Sequence, residues 1–279
     1  MGASMIIKLM RRFYHGICPI IRAIISMRFV YGRPRISLIY ENAGTDKSEW
    51  IDLVTIAFNQ SELIKEQYRL LKKNLTDSYC WYVIDNSNNI TCSADIMNFC
   101  IVNKINYLQP PKQSSGNPSI SHGLALNWAT RNIVKNSDSR YCGYLDHDIF
   151  PVEKNSLIQK LLKQPLYGHL QSRNQYSYLW PGFCFFDKHT INIIKLNFLP
   201  NEKLGLDTGG HLTKLVALHK AKMLIVPRAS YMNINQNYGD VHNGCVEKIN
   251  GWIHLINGSE WKNVHQDRKL NVMQFIGQF

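Results

Sequence analysis

No acidic residue occurs among the first 35 positions, which hold Lys8, Arg11, Arg12, Arg22, Arg28, Arg33 and Arg35. Seven of the chain's twelve net positive charges therefore sit at one end, and the remainder carries 25 basic against 20 acidic side chains. Charge this localised argues against nucleic acid as a partner, which calls for a basic, aromatic-interleaved face. The seven cysteines (18, 80, 92, 100, 142, 184 and 245) are odd in number and include no Cys-x-x-Cys pair, so neither a zinc ribbon nor a disulfide framework is predicted. Cys80, Cys142 and Cys184 lie in apolar, strand-like runs and read as buried thiols in a reducing compartment. A Walker loop and a Gly-x-Gly-x-x-Gly fingerprint are both missing, which disfavours kinases and dehydrogenases. Phe58-Asn59-Gln60-Ser61 also lacks the Gly-rich, Arg-containing loop that nucleotidyl transfer would place after a first strand. There is no convincing signal peptide, and sequons at Asn74, Asn89 and Asn257 are expected by chance in an asparagine-rich chain.

With 279 residues and 45% apolar content, the chain can bury a core of one large domain. Residues 5–29 place Ile6, Met10, Phe13, Ile17, Ile21 and Ile24 on one helical face, with Lys8, Arg11, Arg12, His15 and Arg22 on another. Charges and Pro19 interrupt this segment too often for a membrane span. Two readings stand: an amphipathic helix against an anionic membrane, or a helix packed on the domain.

From Trp50 the pattern changes to short apolar strands alternating with amphipathic stretches, as in a parallel α/β sheet. Strands are predicted at 51–58, 79–84, 105–108 and 141–145. Helices are predicted at 62–74, with Ser61 as N-cap, near 93–103, and at 122–134 after a loop over 110–121. The fourth strand runs into Asp146-His147-Asp148. Two carboxylates one residue apart suit a divalent cation that also holds phosphate oxygens, though an isolated Asp-x-Asp is more often a pair of exposed aspartates in a polar turn. Its company decides: Asn59, Asp85 and the Asp146/Asp148 pair all fall at strand C-termini, where open parallel sheets bind ligands.

These residues resemble a GT-A fold glycosyltransferase of the family-2 type, chiefly over residues 50–150. Val54-Thr-Ile-Ala-Phe-Asn-Gln60, Val83-Ile-Asp-Asn-Ser87, Ser115-Gly-Asn117, Ser121-His-Gly-Leu-Ala-Leu-Asn127 and Asp146-His-Asp148 carry the resemblance. Asn88-Asn89 stands where the family commonly has a second carboxylate after the second strand. The resemblance implies a GT-A (Rossmann-like) α/β fold, a mostly parallel sheet flanked by helices, with the basic amphipathic segment at its N-terminus. It divides the chain into that segment (1–35), a linker (36–49), a nucleotide-sugar half (50–150) and an acceptor half (151–279). Phe58, Asn59, Asp85, Asn86, Gly116, Asn117, His122, Asn127 and Asp146 would meet a UDP- or GDP-type sugar. Asp146, Asp148 and His254 would hold Mn2+ or Mg2+, with His242 and His265 as weaker alternatives to His254.

Inverting transfer needs a base for the acceptor hydroxyl. Among the carboxylates beyond Asp148, Asp207 in Leu204-Gly-Leu-Asp-Thr-Gly-Gly-His-Leu212 resembles the family's base, flanked by glycines and followed by a helical run over 212–218; capping of that helix is the other reading. Trp180, Gly182, Gly209 and Gly210 are the expected acceptor-side residues, the tryptophan stacking on a sugar. Arg173-Asn-Gln-Tyr176 could line the same cleft, and Gly258-Ser259 could offer backbone N–H groups to phosphate. The expected acceptor is a glycan or lipid-linked molecule, and the expected location is cytoplasmic, peripheral on the inner membrane face. A nucleotidyltransferase and a non-catalytic membrane-associated protein are the competing readings.

Overall fold

The computed structural model describes residues 23–40, 46–113, 116–233, 245–256 and 266–279. Its larger sheet has seven strands in the order β1-β4-β3-β2-β5-β8-β7. These are β1 (Ile36–Leu38), β2 (Ile51–Ala57), β3 (Tyr79–Asp85), β4 (Asn106–Gln109), β5 (Tyr141–Asp146), β7 (Leu166–Arg173) and β8 (Tyr176–Asp187). The centre, β4-β3-β2-β5, is parallel, while β1, β8 and β7 join antiparallel. A second, antiparallel sheet orders β6 (Ile149–Pro151), β11 (Trp252–Leu255), β10 (Cys245–Ile249) and β9 (Ala229–Asn233).

The central strands are buried on both faces, so they read as continuous apolar runs while their side chains alternate between two cores. Val54 and Ile56 of β2, Tyr82 and Ile84 of β3, and Cys142 and Tyr144 of β5 join one core. Ile51 and Leu53, Trp81 and Val83, and Tyr141 and Leu145 join the other. Helix α4 (Pro118–Asn132) covers the first face through Leu124, Ala125, Trp128 and Ala129. Helices α2 (Ser61–Asn74) and α3 (Ile90–Val102) cover the second through Ile64, Leu71, Ile96 and Cys100. Buried Cys80, Cys100, Cys142 and Cys184 are free thiols, and burial pushes Cys100 up to about 12.

Four local expectations are revised. Ser61 is the first helical residue of α2 and Gln60 the N-cap, without a side-chain capping bond. Helix α4 starts at Pro118, four residues early, because Asn117 caps it through Ser119 N (2.9 Å) and Ile120 N (3.2 Å) and proline suits a first turn. The expected 36–49 linker contains β1, whose Ile36–Leu38 pairs with Gln109–Tyr107 of β4. Of the N-terminal segment, residues 23–35 are described, with α1 over 23–30. Phe29 and Val30 enter the core there, Trp128 Nε1 donates to Gly32 O (2.8 Å) and Asn132 Nδ2 to Val30 O (2.9 Å). This end of the segment packs on the domain.

Short helices α5 (Ile158–Leu161) and α6 (Thr213–His219) follow, and α7 (Gln266–Gly277) closes the chain. Strands β2, β3 and β4 step outward in one direction, whereas β5 returns to the other side of β2. The crevice at the carboxyl ends of β2 and β5 is therefore the topological switch point, where sheets of this kind bind ligands. Asp146 ends β5 at that crevice, and Asp148 precedes β6 where the second sheet begins.

Candidate active site

The Asp146–Ile149 turn is clamped from three sides. Gln67 of α2, fully buried, donates through Nε2 to Asp146 O and Ile149 O, both at 2.8 Å. Gln67 Oε1 accepts from Thr55 Oγ1 (2.9 Å), which accepts from Trp81 Nε1 (2.9 Å), so the clamp runs back into β2 and β3. His147 Nδ1 donates to Ile56 O (3.2 Å), and Leu255 N donates to Asp148 O (2.9 Å). Sequence reading did not find Gln67, because its value depends on a turn 80 residues away.

Both carboxylates face inward. Asp146 Oδ1 lies 3.1 Å from His122 Nε2. On its other side is Gly182 of β8, where an added Cβ would stand 2.5 Å from Asp146 Oδ2 and 2.2 Å from the Trp180 ring. Gly182 thus admits the protein's own carboxylate and indole. Asp148 is 6% exposed, and its Oδ1 has no hydrogen-bond partner among the described residues. That oxygen faces His254 Nε2 at 3.8 Å, too long for a hydrogen bond. The Trp180 ring tilts against His254 at 4.4 Å, which occupies one of its faces.

Behind His254 lies a carboxylate that sequence reading missed. His254 Nδ1 donates to Glu247 Oε2 (3.0 Å), and Glu247 Oε1 stands 3.6 Å from His169 Nε2. Burial works against ionising Asp146, but the adjacent His122, 3.1 Å away, with the charges of His147 and His254, brings that carboxyl below the ordinary range. Asp148 goes the other way, because burial, aided by Asp146, outweighs His254 and His147. Burial opposes charge on His122 and His254, yet the surrounding carboxylates raise both imidazoles. Burial thus disfavours charge on Asp148 while the histidines favour it on Asp146, and a divalent cation would stabilise both carboxylates.

The turn beyond β3 is built differently. Asp85 is 1% exposed; its Oδ1 accepts from Ser87 N (3.0 Å) and its Oδ2 from Tyr107 OH (2.7 Å) and Ser93 Oγ. Asn59, at φ 54°, donates to Ser87 Oγ through its backbone N (2.8 Å) and to Asn88 Oδ1 through Nδ2, and its Oδ1 accepts from Asn88 N and Asn89 N. Both residues expected to touch a nucleotide are thus consumed in shaping the turn. Asn86, Ser87, Asn88 and Asn89, with Arg35, Gln109 and Lys112, line a cavity of about 550 Å³ there.

Other expected residues divide likewise. Phe58 is half-buried, and Gly116 is exposed with open space about it. Asn117 caps α4. Asn127 sits lower on α4, where its Oδ1 accepts from Phe198 N (2.9 Å) and its Nδ2 donates to Asn197 Oδ1 (3.1 Å), tethering a loop. Asp207 is exposed, its Oδ1 accepting from Thr208 N (2.7 Å). It does not cap α6, whose N-cap is Leu212. Thr208 Oγ1 donates to Ser119 O (3.2 Å), docking this loop on the start of α4 near His122, whose imidazole feels the Asp207 charge. Gly209, at φ 85°, brings the loop within 2.7 Å of Leu179 O for an added Cβ, and Gly210 serves a similar close approach to Leu206 and Asn201. These two glycines serve loop packing. His242, Gly258, Ser259 and His265 lie outside the described residues.

Two carboxylates and an imidazole form a donor set suited to Mn2+ or Mg2+, and the unpartnered Asp148 oxygen is the position such an ion would satisfy. Among the described residues no three such side chains already close on a common point, since Asp146 turns to His122 while Asp148 turns to His254.

The fold and site together define a Rossmann-like α/β protein with an acidic pair at the switch point of its sheet. No known family and no curated protein matches the sequence. Mannosyltransferase PcManGT from Pyrobaculum calidifontis, in complex with GDP-Man and Mn2+, aligns with 10% identity and a TM-score of 0.45, over 74% of this chain and 61% of that one. S. aureus TarS aligns with 14% identity and a TM-score of 0.40, over 58% of this chain and 32% of that one. TarS 1-349 gives 15% identity and a TM-score of 0.39, over 61% and 55%. The chain thus spans less than two thirds of each. Its chemistry has to be read from its own geometry.

Proposed function

We propose that this chain is a metal-dependent glycosyltransferase, moving a sugar from a nucleotide-diphosphate donor to a glycan or lipid-linked acceptor. The observation that carries this reading is the bare, buried Asp148 oxygen facing His254 beside Asp146, at the switch point of a sheet whose β3 turn, two strands away, borders a cavity. A cavity of about 550 Å³ suits a nucleoside, with Asn86–Asn89 offering polar contacts and Arg35 and Lys112 positive charge. The diphosphate would then reach the aspartates.

Asp146, Asp148 and His254 would hold the ion. A bound Mn2+ or Mg2+ supplies charge neutralisation for the departing diphosphate. His122, whose pKa is raised by its carboxylate neighbours against the opposing effect of burial, orients Asp146. Trp180 shields His254 from water on one side. In an inverting reaction Asp207 takes the proton of the acceptor hydroxyl as its oxygen bonds to the anomeric carbon, and the C–O bonding pair leaves with the diphosphate. The exposure of Asp207 and the docking of its loop beside His122 support this role. No protein nucleophile is needed.

A peripheral, cytoplasmic placement fits the same reading. No helix among the described residues is long and apolar enough to cross a membrane. Ile24, Ile25 and Met27 of α1 are about half exposed beside Arg28, which supports contact with an anionic surface. The central test is UDP and GDP binding with and without Mn2+, followed by hydrolysis of a nucleotide-sugar panel. Metal-dependent binding that disappears in Asp148→Ala supports the proposal, and metal-independent affinity rejects it.

A further inference from the structure

We infer that Glu247 is a positioning residue, which holds His254 by its Nδ1 proton so that Nε2 is presented to the ion shared with Asp148. The inference rests on the metal site proposed above and adds a residue to it. Its basis is the β10–β11 hairpin. Asn250 and Gly251 both have positive φ (43° and 82°), the conformation of a two-residue turn that fixes strand register. Ile249 therefore pairs with Trp252, and Glu247 falls directly opposite His254 on the same face. On its other side His254 pairs with Ile149 of β6, adjoining Asp148. The imidazole is suspended between two carboxylates, with Nδ1 at 3.0 Å from Glu247 and Nε2 at 3.8 Å from Asp148.

A carboxylate only accepts, so the short contact at Nδ1 places that nitrogen's proton on the Glu247 side. Nε2 is left as the nitrogen turned toward the unpartnered Asp148 oxygen. Metal-bound imidazoles are oriented in this way by a carboxylate behind them, which fixes the tautomer and makes the ligand nitrogen more basic. Glu247 is itself immobilised: it is 6% exposed, and its second oxygen faces His169 of the other sheet at 3.6 Å. Trp180 packs against both rings, at 4.4 Å from His254 and edge-on to His169 at 6.0 Å. A buried glutamate serving structure alone is best paired with a permanent cation. Here its partners are two imidazoles, one aimed at the site.

The test uses the intact chain and Mn2+ alone, with free Mn2+ read by its electron paramagnetic resonance signal. Glu247→Ala is expected to weaken Mn2+ binding about 10- to 100-fold, and Glu247→Gln, which keeps an acceptor oxygen, to recover most of it. Glu247→Ala added to His254→Ala should cost nothing further, because the two act as one unit. Long-range 1H–15N spectra of the metal-free protein should show His254 protonated at Nδ1 in wild type and not in Glu247→Ala. Unchanged Mn2+ affinity in folded Glu247→Ala, a loss in Glu247→Gln as large as in Glu247→Ala, or a full repeat of the loss in the His254→Ala background, overturns the inference alone. A wild-type protein that binds no Mn2+ overturns the metal site with it.

Discussion

The turns beyond β3 and β5 close parallel strands on the same edge of one sheet, yet they are built on opposite principles. At the β3 turn both Asp85 oxygens and the backbone N, Nδ2 and Oδ1 of Asn59 are hydrogen-bonded within the protein. At the β5 turn the backbone is clamped by Gln67, while Asp148 Oδ1 and His147 Nε2 are buried without partners. Satisfied polar groups hold a shape, and orphaned ones in a rigid frame are kept for something that binds. Both turns carry aspartates at strand ends, so motif position alone could not tell the scaffold from the site.

Three substitutions would break or sharpen this contrast. Asp148→Ala should reduce metal-dependent transfer on the order of 100-fold or more. It should leave the urea midpoint unchanged or higher, because a buried carboxylate whose Oδ1 lacks a hydrogen bond is removed. Asp85→Ala should do the reverse. Tyr107 OH, Ser93 Oγ and Ser87 N lose their acceptor, for a cost on the order of 3 kcal/mol in chemical unfolding. An Asp85→Ala protein that keeps its stability but loses nucleotide affinity would show that Asp85 contacts ligand after all. Gln67→Leu falls between the two, since it strips two carbonyls and Thr55 of their partner. It should cost about 2 kcal/mol and also weaken Mn2+ binding, as the turn that carries both aspartates loosens.

The parts legible in the sequence were those encoded by neighbours. Largely apolar segments marked β2 and β5, and the polar residues that follow them, Asn59 and Asp146, marked the switch point. Asn117-Pro118 did signal the start of α4, an N-cap followed by proline, but it was absorbed into a Pro/Ser/Gly-rich loop. Glu247 was legible too: Asn250-Gly251 is a hairpin signal, and counting outward from it pairs 247 with 254. Gln67 had no such signal. It is a polar residue on an amphipathic helix, and only the return of β5 beside β2 turns it inward. Gly182 and Gly209 looked like openings for substrate, whereas the structure fills both with its own atoms.

Asp52 is the sharpest test of equating orphaned polar atoms with function, and it carries the smallest expected effect. It lies near the opposite end of β2 from the site, fully buried, with Oδ1 accepting from Ser139 Oγ (2.9 Å) and Oδ2 without a hydrogen bond, 3.6 Å from Lys188 Nζ. Burial raises its carboxyl above the ordinary value; Ser137, Lys188 and Ser139 offset this only in part. The folded protein therefore keeps the Asp52 proton to higher pH than the unfolded chain does. Its contribution to stability is present below the unfolded value of about 3.9 and declines as pH rises through the folded one. Asp52→Asn keeps an acceptor for Ser139, while Lys188 retains the carbonyls of Val134 and Ser137. The variant should lose that decline, so that urea midpoints measured near the unfolded value and at neutrality converge relative to wild type, with Mn2+ affinity unaltered. A change in Mn2+ affinity would mean that the two ends of β2 are coupled and that the contrast between scaffold and site does not divide along the strand.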